Sequence, residues 1–286
     1  MGYQVYIKRE DLLHEFVSGN KFRKLKYNLL QAKAEKSPLL ITFGGAYSNH
    51  IAATAYAAQS IGIPCIGIIR GEELQGAINS NPTLSFAQQH QMQFKFISRS
   101  DYRLKDTPEF LAQLKGEYGD FYLVPEGGTN ALAIQGCNEI LTPEDKFFDY
   151  ICCAIGTGGT IAGISASAFT HQKVLGFPAL KGDFFPEVIA ELSPKANVEV
   201  ITDYHFGGYA KIAEPLVEFI NEFRWEYGIA LDPVYTGKMA YGVWDMMAKA
   251  YFPSGSKILL IHTGGLQGIA GMNEKLSKLK LPLINV

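Results

Sequence analysis

Cysteine is scarce in this chain, with four in 286 residues, Cys65, Cys137, Cys152 and Cys153, and none in a Cys-x-x-Cys spacing. No histidine or cysteine partners stand at ligand spacing, so no metal site is expected. Four reduced, mostly buried thiols in a cytoplasmic protein is the reading this usage supports. An excess of one charge is also lacking: 26 Lys+Arg stand against 28 Asp+Glu, a formal net charge of -2. That removes the electrostatic ground for nucleic acid or a membrane surface as partner. No apolar run is long enough to cross a bilayer, and the start lacks the basic and apolar regions of a signal peptide. Repeats and low-complexity tracts are missing too. What is present is 47% hydrophobic sequence of a length that buries a full core, in one large domain or two modest ones.

Apolar runs alternate with amphipathic stretches. Strands are predicted at 39–43, 64–69, 94–97, 121–124, 150–155, 174–177, 198–202 and 257–262. Helices are predicted at 19–36, 48–61, 83–90, 107–115, 161–167, 209–227 and 238–251. This alternation predicts α/β architecture with mostly parallel sheets. The adjacent Cys152 and Cys153 should point to opposite faces of their strand. Three predicted strands run into glycine-rich turns, at Gly44-Gly45, Gly156-Thr157-Gly158 and Thr263-Gly264-Gly265. Open α/β sheets bind ligands at such carboxyl ends. A smaller α/β domain at 37–125, inserted between 1–36 and a larger part at 126–286, would bring these turns to one cleft.

The chemistry-bearing residues sit at those turns. Gly19-Asn20 is a turn that presents Lys21 at a helix start, and Arg23, Lys24 and Lys26 stand close enough in sequence to repel its proton. A lysine freed of its proton is a nucleophile for a carbonyl. Gly156, Thr157, Gly158, Gly159 and Thr160 follow an apolar strand and open a helix, which suits a phosphate. The loop lacks the Gly-Lys-Ser/Thr ending of a nucleotide P-loop. A dinucleotide loop expects an acid after the next strand, and the chain reads Lys173 to Pro178 there. Asn49 can bond a ring oxygen, and Ser48 a substrate carboxylate, although both are also ordinary helix caps. His50 is read as a cap or a satisfied core residue. Tyr209 and Tyr235 are candidate acids or bases, or packing residues, and Thr263 can bond a ligand from a strand end. A lysine, a ring contact and a phosphate loop together describe a site for pyridoxal phosphate.

With these residues in order, the chain resembles the 1-aminocyclopropane-1-carboxylate deaminases and D-cysteine desulfhydrases. The resemblance runs from Val5 through Lys24, 44–50, 156–163 and 232–238 to Gly265. It implies the two-domain tryptophan synthase β-like fold (fold type II), with open, twisted, mostly parallel sheets and the cofactor in the interdomain cleft. It implies a Schiff base at Lys21, Asn49 on the ring hydroxyl, and the 156–160 loop on the phosphate. Ser48, Tyr209 and Tyr235 match positions that look toward a small amino-acid substrate, and a cytoplasmic homodimer is implied. Relatives carry a longer lead before the motif at Tyr6, so an N-terminal element is expected to be missing.

Deaminases of the family carry Glu after the second tyrosine and Leu in the His-x-Gly-Gly motif, where this chain has Thr236 and Thr263. A carboxylate beside the pyridine nitrogen makes a stronger electron sink than a hydroxyl. Opening a cyclopropane needs strong assistance, and expelling a thiolate needs less. The expected reaction is β-elimination on D-cysteine or a similar amino acid, giving pyruvate, ammonia and sulfide. The alternatives are ring opening to 2-oxobutanoate and ammonia, or a non-catalytic pyridoxal-phosphate-binding relative.

Overall fold

Parallel pairing organises every strand in the computed structural model, which describes residues 2–194 and 197–285. In chain order the elements are β1 (Gln4–Lys8), α1 (Asn20–Ala34), β2 (Leu40–Gly44), α2 (Asn49–Ser60), β3 (Cys65–Arg70) and α3 (Pro82–Gln89). There follow β4 (Gln93–Ile97), α4 (Arg99–Tyr102), α5 (Pro108–Tyr118), β5 (Tyr122–Val124), α6 (Ala131–Cys137), β6 (Tyr150–Ile155) and α7 (Gly159–Ser167). The chain continues with β7 (Lys173–Pro178), α8 (Phe185–Leu192), β8 (Val198–Val200), α9 (Glu214–Tyr227), α10 (Thr236–Ala248), β9 (Lys257–Ile261) and α11 (Gly268–Leu279). One sheet has the order β1-β9-β6-β7-β8 and the other β4-β3-β2-β5. Every strand of the second sheet lies between residues 40 and 124.

Each sheet is covered on both faces, which is why its central strands read as continuous apolar runs. In the larger sheet Cys152 and Leu175 pack with Leu216, Val243 and Ile269 from α9, α10 and α11. Cys153 and Val174 pack on the opposite face with Ile161, Ile164 and Ile189 from α7 and α8. The two adjacent cysteines therefore face opposite layers, as the period-two geometry of a strand requires. In the smaller sheet, Leu40 packs with Ile51 and Leu84 of α2 and α3, while Ile41 and Phe43 face Tyr102 and Leu114 of α4 and α5.

The departures from the sequence reading have local causes. β1 is a half-exposed edge strand, paired to β9 from Gln4↔Lys257 to Lys8↔Ile261, and its short run carries little apolar signal. The short α4, α6 and α8 and the twelve-residue α11 were not anticipated. The helix expected over 209–227 begins only at Glu214. Extending it back to 209 would require an N–H at Pro215 to bond residue 211, and proline has none. Tyr209 is thereby left in a loop.

Helix α1 reaches the larger sheet through α6. A Cβ on Gly136 would stand 2.0 Å from the carbonyl oxygen of Arg23, so only glycine allows that approach. Gly136→Ala forces the two helices apart, and we expect a loss of about 3 kcal/mol in unfolding free energy by urea titration. A loss under about 1 kcal/mol would show that the α1–α6 contact yields easily.

Candidate active site

The helices that follow β6 and β9 leave on opposite faces of the sheet. α7 packs with the layer holding Ile151 and Cys153, and α11 with the layer holding Cys152 and Leu260. Neighbouring parallel strands whose helices diverge open a crevice at their carboxyl ends. The loops at 156–158 and 262–265 lie at that crevice.

Helix α1 starts against the end of β9. Gly19 has φ 63 and ψ −137, and a Cβ there would lie 2.0 Å from Thr263 O. Asn20 N donates to that same carbonyl at 3.2 Å, and its Nδ2 donates to Thr160 Oγ1 at 2.9 Å. The first turn of α1 is thus tied to both loops. Lys21 projects from this turn as a half-buried residue. Burial, and then the charge of Lys24, lower its pKa to about 7 against a smaller opposing effect of Cys137. Only Lys24 of the three nearby cations acts this way. Arg23 is held by Glu10 in a bidentate pair of 2.7 and 3.0 Å, and Lys26 by Glu139 at 2.7 Å.

Lys24, one turn along from Lys21, is buried and 1% exposed. Its Nζ donates to Gly127 O at 3.1 Å, Thr129 Oγ1 at 2.8 Å and Thr157 Oγ1 at 3.2 Å. These partners are neutral oxygens, so the buried charge has no carboxylate among its hydrogen-bond partners. Burial lowers its pKa. Thr129 and Thr157 share a hydroxyl contact of 2.5 Å. A Cβ on Gly159, at the start of α7, would come within 3.2 Å of Lys24 Nζ and 3.0 Å of Thr129 Oγ1. A cation, two hydroxyls and the free N–H groups of a helix start form a cradle for a phosphate.

Asn49 opens α2 beyond the end of β2, and its Oδ1 is buried without a partner. Its amide faces 265–268, where a Cβ on Gly265 would stand 2.7 Å from Asn49 Nδ2. An unsatisfied buried amide oxygen asks for a donor from a bound molecule. Ser48 is the N-cap of α2 and accepts from Ile51 N at 3.4 Å. His50 is a satisfied core residue, with Nε2 2.7 Å from Thr42 Oγ1 and Nδ1 3.4 Å from Thr54 Oγ1. Because Thr42 already donates to Val124 O at 2.8 Å, its oxygen accepts from His50. Burial, then the charges of Lys21 and Lys24, hold the His50 pKa well below the usual range.

Tyr235 and Thr236 stand at the start of α10, where Asp232 organises the turn. Asp232 Oδ2 accepts from the N–H groups of Val234 and Tyr235 at 2.9 and 3.0 Å. Its Oδ1 accepts from Thr236 N and Thr236 Oγ1 at 2.7 and 2.8 Å. Thr236 Oγ1 also accepts from Asp232 N at 2.9 Å, so this hydroxyl is committed to the turn. Tyr235 lies against Gly156, where a Cβ would be 3.1 Å from its ring, and its ring centroid is 6.3 Å from that of Tyr209. Burial raises the pKa of both phenols, that of Tyr235 well above the ordinary value. Both are proton donors at neutral pH, which favours the acid role over the base role.

Thus Asn20 ties the turn that carries Lys21 to Thr160 and to the Thr263 carbonyl, Lys24 reaches Thr157 beside Gly159, and Tyr235 lies against Gly156 with Tyr209 next to it. Gly158 supplies the left-handed turn before α7, with φ 82. Lys24 as phosphate partner, Thr129 and Asp232 were not singled out from the sequence. The i, i+3 spacing of Lys21 and Lys24 and the turn Gly127-Gly128-Thr129 after a strand were the available signals. The unpartnered Asn49 oxygen, the lowered pKa of Lys21 and the cradle of Lys24 with the 156–160 loop are groups that would suit the ring, the aldehyde and the phosphate of pyridoxal phosphate.

Lys21 carries a linkage consequence. Its pKa is about 7 in the folded chain and near 10.5 unfolded, so across that window the unfolded chain binds more proton and stability rises with pH. Lys21→Met removes the penalty of a buried charge. We expect the cofactor-free variant to be more stable than wild type near pH 6, by at most about 5 kcal/mol, with the gain shrinking toward pH 10. Urea midpoints at both pH values measure this, and a pH-independent difference would contradict it.

The sequence profile described as pyridoxal-phosphate dependent enzyme matches residues 1–264. A Pyrococcus horikoshii protein, provisionally named 1-aminocyclopropane-1-carboxylate deaminase, is 34% identical over 98% of this chain and 90% of its own length. An Arabidopsis thaliana protein named bifunctional D-cysteine desulfhydrase/1-aminocyclopropane-1-carboxylate deaminase, mitochondrial, is 32% identical over 97% of this chain and 76% of its own. The crystal structure of an ACC deaminase homologue superposes with a TM-score of 0.80 at 33% identity, covering 96% of this chain and 88% of that one. The chain belongs to the pyridoxal-phosphate-dependent enzymes, in the group whose members bear these deaminase and desulfhydrase names.

Proposed function

We propose that the protein catalyses β-elimination on D-cysteine or a similar small amino acid, with water converting the organic product to pyruvate and ammonia while sulfide leaves. The observation that carries the choice is the start of α10. At the position where deaminases of the family carry Glu, this chain has Thr236, whose hydroxyl is bonded to Asp232, and both oxygens of Asp232 are taken by 234–236, which leaves no free carboxylate there. Thr263, the second position, is likewise a threonine. A good leaving group suits a site without that carboxylate.

When bound, pyridoxal phosphate supplies an electron sink for the charge left at the substrate Cα. The chain's own groups do the rest. Lys21 Nζ, with its pKa about 7, would hold the cofactor through its aldehyde and, once the substrate amine has displaced it from that carbon, would be the free amine that takes the Cα proton. Lys24, Thr157 and the N–H groups of Gly159 and Thr160 hold the phosphate. Asn49 orients the ring, and Ser48 with the start of α2 receives the substrate carboxylate. Tyr235 or Tyr209 donates the proton that accompanies the departing sulfur. Division at 37–125 into a smaller domain agrees with the confinement of one sheet to that span. Four buried free thiols suit the reducing cytoplasm, and a homodimer follows the family resemblance.

Purified protein supplied with pyridoxal phosphate should release pyruvate and sulfide from D-cysteine. Lys21→Ala should lose both turnover and the visible absorption band while keeping its fold by circular dichroism. Release of 2-oxobutanoate from 1-aminocyclopropane-1-carboxylate, with D-cysteine inert, would replace the eliminase reading with the deaminase one. No product from either substrate, with the band intact, would favour a non-catalytic binder.

A further inference from the structure

Lys238 lies in α10, one turn past Tyr235, and is only 1% exposed. Its Nζ donates to three backbone carbonyls, those of Ala179 at 3.4 Å, His205 at 2.9 Å and Gly208 at 2.8 Å. An ammonium has three protons, so every donor is used. Ala179 follows β7, while His205 and Gly208 belong to the loop that carries Tyr209. Burial pulls the Lys238 pKa to about 8, with Asp232 acting in the opposite sense, so the ammonium persists at neutral pH.

That loop is strained. Phe206 and Ala210 have φ of 52, and Gly207 and Gly208 have φ of 87 and 115. Left-handed conformations at non-glycine residues persist only where surrounding contacts over-determine them. Here a second lysine contributes, since Lys275 Nζ from α11 donates to Ala210 O at 2.7 Å. Two lysines from different helices therefore grip the backbone on either side of Tyr209. Tyr209 is 47% exposed as a residue and packs edge-on against Tyr235, so its own packing is only partial.

We propose that Lys238 is a positioning residue, whose ammonium, assisted by Lys275, holds the strained turn at 205–210 so that Tyr209 faces Tyr235 in the cleft. The inference rests on the reading that these tyrosines face the substrate. Because Tyr235 begins the helix that carries Lys238, α10 sets both phenols at once, one directly and one through the ammonium.

Hydrogen exchange on the holoenzyme separates this proposal from the proposed reaction. Lys238→Met keeps the side-chain length and removes all three donors. We expect amide exchange at 206–211 to accelerate at least tenfold, with exchange in β6 and β9 unchanged. In turnover of D-cysteine, Lys238→Met should reproduce the kcat and KM changes of Tyr209→Phe, and the double variant should lose no more than either single one. A merely structural role would instead give losses that multiply. Lys275→Met, which loosens the same turn from the other side, should show the same exchange change and keeps the test open should Lys238→Met not fold. Unchanged exchange at 206–211 in both variants, or multiplying losses, would overturn the proposal. Failure of wild-type turnover with accelerated exchange would strike the reaction assignment alone and leave the grip on the loop established.

Discussion

The carbonyl of Thr263 and the space above it govern the architecture of this site. Asn20 N donates to that carbonyl at 3.2 Å, and Gly19 leaves no room for a side chain beside it. The contact seats the first turn of α1 on the carboxyl end of β9. From there Asn20 reaches Thr160, and Lys24 reaches Thr157, so two helix starts and a strand end become one unit. Remove the close approach and Lys21 has no defined position relative to the phosphate cradle.

Desolvation does the electrostatic work within that unit. Lys21 and Lys24 are like charges a helical turn apart in a poorly solvated place, and each is pushed toward its neutral form. Arg23 and Lys26 of the same helix are neutralised by Glu10 and Glu139, which leaves the pair without a carboxylate partner inside the crevice. Such a site is costly for the empty protein and well matched to an aldehyde and a phosphate. An anion relieves Lys24, and loss of a proton makes Lys21 a nucleophile. Stability and reactivity are opposed here, as expected of a functional centre.

The tyrosine side of the crevice follows a different principle. Tyr235 is set by a helix start whose turn is bonded within itself through Asp232. Tyr209 lies on strained backbone that accepts from the buried Lys238 and the half-buried Lys275. Rigid α/β layers thus present one donor directly and a second through a loop, a common division between scaffold and functional segment.

By itself the sequence determined the alternation of strands and helices, the glycine turns at strand ends, and the order of Lys21, Asn49, 156–160 and Tyr235, because periodicity and turn chemistry are local. Resemblance then gave those residues a shared purpose. Tertiary structure alone decided which of three nearby cations depresses the Lys21 pKa, since Glu10 and Glu139 reach Arg23 and Lys26 from distant segments. It also committed the Thr236 hydroxyl to Asp232, whereas the start of α9 beyond Tyr209 follows from Pro215 and was legible in the sequence. The grip of Lys238 on residues 205 and 208 belongs to the same class, because burial and long-range hydrogen bonds depend on which segments meet, and that is invisible in a linear pattern.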